Sequence, residues 1–298
     1  DKDAPPLEEV LKDDWRPAKP ELTDTTCHVV KAVADGELLG FFSYFGCHPV
    51  CCCSETRWIH GDFVGVATNL IEREHPGSTG LFLQGAHGDV NSCVVHKPEQ
   101  QALLALNVVA GRYANAVRRG LAAAQPLEAA PPRCVLREAN FTRRTWDVAE
   151  LRQRLADEEA AFAEPEADDA DRELRMGVVR AIALRRIIAA LERGDSLDEP
   201  TQLQGIRIGP LELLASPFET FQAIKNDVRA QARAPVPLVL SVTNDSRGYA
   251  PDRTAAERGG YAADTVPMIH GYLPYANVHE ELVGALLEID AELERARA

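Results

Sequence analysis

The run Phe41-Phe42-Ser43-Tyr44-Phe45 is aromatic, apolar and short, and it stops at Gly46-Cys47-His48-Pro49. A run of this kind closed by a proline reads as a buried strand, because proline drives the residue before it out of the helical region and lets the chain turn away. His48 is thereby placed at the end of a strand, where the functional groups of α/β proteins gather. Two readings of that imidazole stand side by side at this level, a hydrogen-bonded structural histidine and a ligand.

The rest of the chain repeats the alternation. Residues 1–24, with Pro5, Pro6, Pro17 and Pro20 among charges, read as an extended leader without a core of its own. Cys27 to Ala34 and Leu38 to Phe45 form a hairpin across Asp35-Gly36. Phe63 to Glu74 carries apolar residues at helical spacing, with Pro76-Gly77 as its stop. Gly80 to Gln84 is a strand that empties into Gly85-Ala86-His87-Gly88-Asp89-Val90-Asn91-Ser92. That loop is dense in polar groups, and its glycines allow backbone to approach a ligand or to turn tightly at the surface. Glu99 to Ala124 is a long helix with Leu103, Leu106, Val109, Tyr113 and Val117 on one face.

Downstream, Cys134 to Phe141 is a strand, and about 147–193 is an insert of two charged helices. The acidic run Asp168, Asp169, Asp171 between them reads as a solvated turn, with a cation site as the alternative. Gln202 to Ile208 and Leu211 to Ala215 make a second hairpin. Ser216-Pro217-Phe218-Glu219 leads into a helix over Thr220 to Ala230, Pro235 to Val242 is the last clear strand, and Ala276 to Arg297 is a closing helix. Interleaved strands and helices predict an α/β fold over 25–298, a mixed β-sheet with flanking helices and a site at strand ends.

Composition narrows the function classes. A net charge of −14 over 298 residues argues against nucleic-acid and anionic-membrane partners, which need concentrated Lys and Arg. A neutral or cationic small molecule is easier to accept. No window approaches the roughly 18 apolar residues of a membrane span, and no signal peptide is visible. Seven cysteines, three of them consecutive at Cys51, Cys52 and Cys53, suit a reducing compartment better than a disulfide framework. This gives a cytoplasmic rather than a secreted expectation. A zinc knuckle at Cys51 to Cys53 is the competing idea, but no second C-x-x-C pair completes it. A chain that begins at Asp1 is expected to be a fragment or a processed product.

Successive strand exits deliver His48, the Gly85 to Ser92 loop, Glu219 and Tyr249. Open sheets bind ligands where strand ends converge, and an imidazole, a carboxylate and a phenol suit Zn²⁺ or a similar ion. Glu219 reads equally as a helix-start carboxylate facing the dipole.

The segments GCHPV, IHGDFVG, LFLQGAHGDVN, SPFETF and NDSRGYAPDRTAAERGGY, in that order, resemble the neutral/alkaline ceramidase family and its shorter bacterial members of unassigned substrate. The resemblance runs from about Cys27 to the C-terminus. It implies a single zinc held by histidines, a glutamate and a tyrosine, and hydrolysis of the amide bond of an N-acylated lipid. Residue by residue, the ligands fall on His48, Glu219 and Tyr249, and an oxyanion-stabilising tyrosine falls on Tyr261, twelve residues after Tyr249.

Three departures qualify the resemblance. No His-x-His element precedes His48, so a lobe carrying one is expected before Asp1 or on a second chain. The family's serine is Asn91 here, with Ser92 beside it; water activated by the metal then becomes the nucleophile, and Asn91 a donor to the oxyanion. The further sandwich domain of the long ceramidases does not follow the last helix. His87 is a candidate proton shuttle, with Gly85, Gly88 and Asp89 as the loop around it. The reading is a zinc-dependent hydrolase of an amide, less readily an ester, of a small molecule. The alternatives are a non-catalytic accessory or binding subunit, and a lyase or isomerase using the same metal site.

Overall fold

Asp35 and Gly36 join β1 (His28–Ala34) to β2 (Glu37–Phe45), both at positive φ, 53° and 85°. That pair of left-handed residues matches the twist of the flanking strands, which is why Asp-Gly makes the turn. β2 then pairs in parallel with β3 (Thr79–Gln84) through the crossover helix α2 (Asp62–Glu74), giving a mixed sheet in the order β1-β2-β3. In this computed structural model all residues are described except 1–5, 18, 19, 21, 22, 53–55, 57, 129, 164–167, 169, 198 and 296–298. The chain divides into two compact units, Asp1–Ala130 and Pro131–Ala298.

The core of the first unit lies between this sheet and α3 (Glu99–Ala123), with Phe41, Phe63, Ile71, Leu106, Tyr113 and Val117 at its centre. Tyr113 donates to Ser43 Oγ at 3.0 Å, and the rings of Phe45, Phe63 and Phe82 lie against it. Leu103, expected on the buried face of α3, is instead exposed; Ala102, Ala105, Ala110 and Ala114 are buried in its place. Small residues bring the helix axis closer to its neighbours than a leucine stripe would, and the sequence pattern weights large side chains over alanines. The leader also departs from expectation. Leu7–Val10 forms a turn of helix, α1, whose Val10 is buried against Val94 and Ala105, with Leu7, Leu11 and Trp15 packed around it. Apolar residues at Leu7, Val10 and Leu11 have helical spacing that the flanking prolines obscured.

The second unit holds another mixed sheet, in the order β4-β5-β6-β8: β4 (Arg133–Ala139), β5 (Thr201–Ile208), β6 (Leu211–Ala215) and β8 (Val236–Leu240). Its insert is a helix pair, α4 (Val148–Phe162) and α5 (Arg172–Arg193), tied by Arg180 to Glu158 at 2.5 and 2.9 Å. Of the acidic run, Asp171 caps α5 by accepting from the Glu173 N–H at 2.7 Å and Asp168 accepts from the Ala170 N–H, as a turn reading requires. Asp169 and the Glu164-Pro165-Glu166 break lie outside the described residues.

Between β6 and β8 come β7 (Glu219–Thr220) and α6 (Gln222–Gln231). After β8 the chain forms β9 (Tyr249–Ala250), α7 (Arg253–Arg258), a wide helical turn over Tyr261–Thr265, α8 (Val266–Ile269) and α9 (Val278–Arg295). β7 and β9 pair in parallel as a two-residue ladder apart from the main sheet. α9 covers the sheet, with Leu282, Leu286, Ile289 and Leu293 buried against Leu203, Leu214 and Val239. The α/β class with flanking helices is therefore present, as two mixed sheets.

Candidate active site

In the first unit the ends of β2 and β3 are bound side by side. The Gly85 N–H donates to Phe45 O at 3.0 Å, and Gln84 Nε2 donates to Cys47 O at 3.2 Å. A Cβ on Gly85 would stand 2.8 Å from Tyr44 Cζ and 3.0 Å from the Gly46 backbone, so only glycine lets the two exits run this close. The loops remain paired beyond the strands. His48 and Asn91 form a parallel bridge, the His48 N–H donates to Val90 O at 2.9 Å, and the Val90 N–H donates to His87 O at 2.9 Å.

Two imidazoles result. His48 Nδ1 lies 3.1 Å from Val90 O, and His87 Nδ1 lies 3.0 Å from Gly85 O. A carbonyl oxygen only accepts, so each Nδ1 carries a hydrogen. The rings sit edge to face with centroids 4.3 Å apart. His87 is buried and His48 half-buried. In the same loop Asp89 and Asn91 are exposed, Gly88 is half-buried, and Ser92 Oγ is committed to Val94 O at 2.6 Å. Burial first, then Cys93 and Asp62, push the Cys47 thiol up to about 12, and burial pushes Cys51 up as well, which disfavours their thiolate forms. The six described cysteines outside 53 are free thiols, and the Cys51 to Cys53 knuckle cannot be assessed because Cys53 lies outside the described residues.

In the second unit the β7–β9 ladder does the positioning. Glu219 is opposite Tyr249, and its N–H donates to Gly248 O at 2.8 Å. Burial raises the Tyr249 phenol well above its usual range, and the adjacent Glu219 carboxylate, then Tyr261, add to the effect. Phe221 packs its ring against Tyr249 at 6.2 Å, and Tyr261 does so from another side at 6.1 Å. Tyr261 opens the wide turn after Gly259 and Gly260, which sit at φ 73° and 102°. Asp264 fastens that turn: it accepts from the Gly260 N–H at 2.7 Å and from Arg144 Nη1 at 2.9 Å. Asp264 and Arg144 are supporting residues that the sequence reading missed. The Gly259-Gly260 pair was the available signal, since two adjacent glycines mark a backbone that side chains rarely permit.

Within the first unit, then, His48, His87 and the Gly85, Gly88, Asp89 and Asn91 positions are neighbours. Within the second, Glu219, Tyr249 and Tyr261 are neighbours. Carbonyl-anchored imidazoles in the first unit, and separately a carboxylate beside a phenol in the second, are ligand types that suit Zn²⁺. Among the described residues no helix is long and apolar enough to cross a membrane.

Comparison with known proteins agrees on the fold. No protein-family model matches the chain, and no curated protein matches it in sequence. Among solved structures, the neutral ceramidase from Pseudomonas aeruginosa is similar at TM-score 0.61 and 15% identity, covering 96% of this chain and 50% of the other. A ceramidase solved in complex with C2 is similar at TM-score 0.64 and 15% identity, covering 97% and 51%. The chain has the ceramidase fold and spans about half the length of these structures.

Proposed function

We propose that this chain is the metal-binding hydrolytic domain of an amidase, cleaving an amide, less readily an ester, of a small molecule. The observation that carries the reading is the pair of carbonyl-anchored imidazoles at the strand exits of a ceramidase fold. Carbonyl anchoring of one ring nitrogen is the outer-shell arrangement that metal-ligating histidines almost always have. By the family resemblance, His48, Glu219 and Tyr249 would hold one divalent ion, with zinc as the expected metal. Bound there, the ion would supply Lewis acidity toward a scissile carbonyl and a lowered pKa for water.

The chain's own residues divide the remaining work. The exposed Tyr261 phenol donates a hydrogen bond to the oxygen on which negative charge develops, and the exposed Asn91 amide is suited to the same task. Neither Asn91 nor the neutral thiols can attack a carbonyl, so the nucleophile is water. Glu219 and its backbone ladder hold Tyr249 in place through the substrate's passage.

The test uses the full-length protein. Elemental analysis is expected to give about one equivalent of zinc, and a panel of N-acylated amides and esters to show turnover that chelation abolishes and zinc restores. Glu219→Gln is expected to lower both metal content and turnover by about 100-fold or more. A protein that retains no metal and turns over no member of the panel, before or after zinc addition, is a binding or accessory subunit instead.

A further inference from the structure

We propose that His87 is itself a metal ligand, so that the first unit contributes two imidazoles, His48 and His87, to one divalent ion. The proposal rests on the hydrolase reading for the presence of an ion. It replaces a proton-shuttle role for His87 and adds a ligand to the set implied by the family resemblance.

Three observations carry it. The first is orientation: both rings give an Nδ1 hydrogen to a main-chain carbonyl, at 3.1 Å for His48 and 3.0 Å for His87, which makes Nε2 the nitrogen through which either ring would ligate. The same anchoring on both rings is what ligand duty demands of each. The second is distance. A ligand nitrogen of His48 and one of His87 lie within 4.8 Å of each other, and two nitrogens on a tetrahedral zinc, each at about 2.0–2.1 Å, stand roughly 3.3 Å apart.

The third is burial and rigidity. His87 is 5% exposed, with a second imidazole against its ring. A shuttle must exchange its proton with water, which this position restricts. A ligand must instead be held still, and the Gly85 contact, the His87 to Val90 turn and the His48–Asn91 bridge fix the loop at both sides of the ring. Sequence could not show this, because the two histidines are 39 positions apart and neither lies in a ligand-spaced motif.

The experiment measures zinc affinity of the full-length protein by competition with a chromophoric chelator, in the parent and in His87→Gln and His87→Asn. X-ray absorption on the zinc-loaded forms counts imidazole ligands, and thermal melting of the metal-free forms checks folding. The expected result is at least an about 100-fold loss of affinity in both variants, with one imidazole fewer at the metal and unchanged metal-free melting. If the variants do not fold, nitrogen NMR of the parent decides: the Nε2 resonances of both His48 and His87 shift on zinc addition if both ligate, and a His87 resonance that stays put overturns the proposal. Parent-like affinity in the folded variants also overturns it and leaves the hydrolase reading intact. A parent that binds no zinc removes that reading, and this one with it.

Discussion

The two units bury ionisable side chains to different ends. In the second unit Arg207, Glu212 and Asp290 are all buried, on β5, β6 and α9. Arg207 and Glu212 are a cross-strand pair, with Nη1 3.3 Å from Glu212 and 2.9 Å from Glu294, while Asp290 accepts the Arg233 and Ala234 N–H groups at 3.1 Å. In the first unit the buried imidazole of His87 stands at a strand exit, where glycine has cleared the backbone around it. Both arrangements hold titratable groups out of water, and buried titratable groups are often taken as marks of a site. The comparison shows that burial does not discriminate. The guanidinium and carboxylates have partners that join a hairpin to the helix covering it, whereas each imidazole is anchored through Nδ1 to a main-chain carbonyl at a strand exit.

Two glycine substitutions separate these roles most strongly. A Cβ on Gly205, in β5, would stand 2.2 Å from Ile289 Cγ2 and 2.8 Å from Leu293 Cδ1, both on α9. Gly205→Ala overpacks the sheet–helix interface of the second unit and is expected to cost about 1–3 kcal/mol, at the upper end of that range. In denaturant unfolding its midpoint should fall while zinc affinity of the folded protein stays at the parent value. Gly85→Ala meets the Gly46 backbone and Tyr44 instead, so it should lower both stability and zinc affinity, because the Gly85 carbonyl anchors His87. Equal effects of the two on metal binding would erase the distinction between the units.

How much of this was readable beforehand follows from how each part is encoded. The Asp35-Gly36 and Gly209-Pro210 hairpins, the crossover through α2 and the long helices were legible, since their turns and periodicities are local. The strand-end position of His48 was legible for the same reason. The β7–β9 ladder was not: Glu219–Thr220 and Tyr249–Ala250 are two residues each and pair across about thirty residues of intervening helix and strand. Nor was the Asp264 fastening of the Tyr261 turn, which depends on Arg144 from an earlier part of the unit. On α3, Leu106, Tyr113 and Val117 are buried as expected, but Leu103 is exposed and Ala102, Ala105, Ala110 and Ala114 share the buried face, small residues that the pattern does not weight.

A smaller effect tests the structural side of the comparison. Burial first, then Asp290, raises Glu212 up to about 7 against the lowering influence of Arg207. A carboxyl held above its unfolded value of about 4.5 keeps its proton in the folded state. Its contribution is fully present below the unfolded value and is lost as pH rises through about 7. The parent is therefore expected to lose stability, relative to Glu212→Gln, as pH rises from about 5 to about 8, by up to the order of 3 kcal/mol. Thermal melts of both proteins across that window check this, and parallel profiles would show that Glu212 titrates normally and that the buried trio is not under electrostatic conflict.

The smallest expected effect concerns the second unit's own contribution to chemistry. Asp264 ties the Gly260 N–H and Arg144 at the turn that opens with Tyr261, and its ion pair is partly exposed to water. Asp264→Asn keeps the shape and weakens both contacts, so its stability cost should be only about 1 kcal/mol. Tyr261 would then be held less firmly in the oxyanion-donor role proposed for it. The expected signature is a several-fold fall in kcat with KM little changed, since only an interaction made in the transition state is loosened. Tyr261→Phe should show the same split, larger. If both variants retain parental kcat, the turn serves packing alone, and the second unit's part in catalysis contracts to the β7–β9 ladder and its Glu219 and Tyr249 side chains.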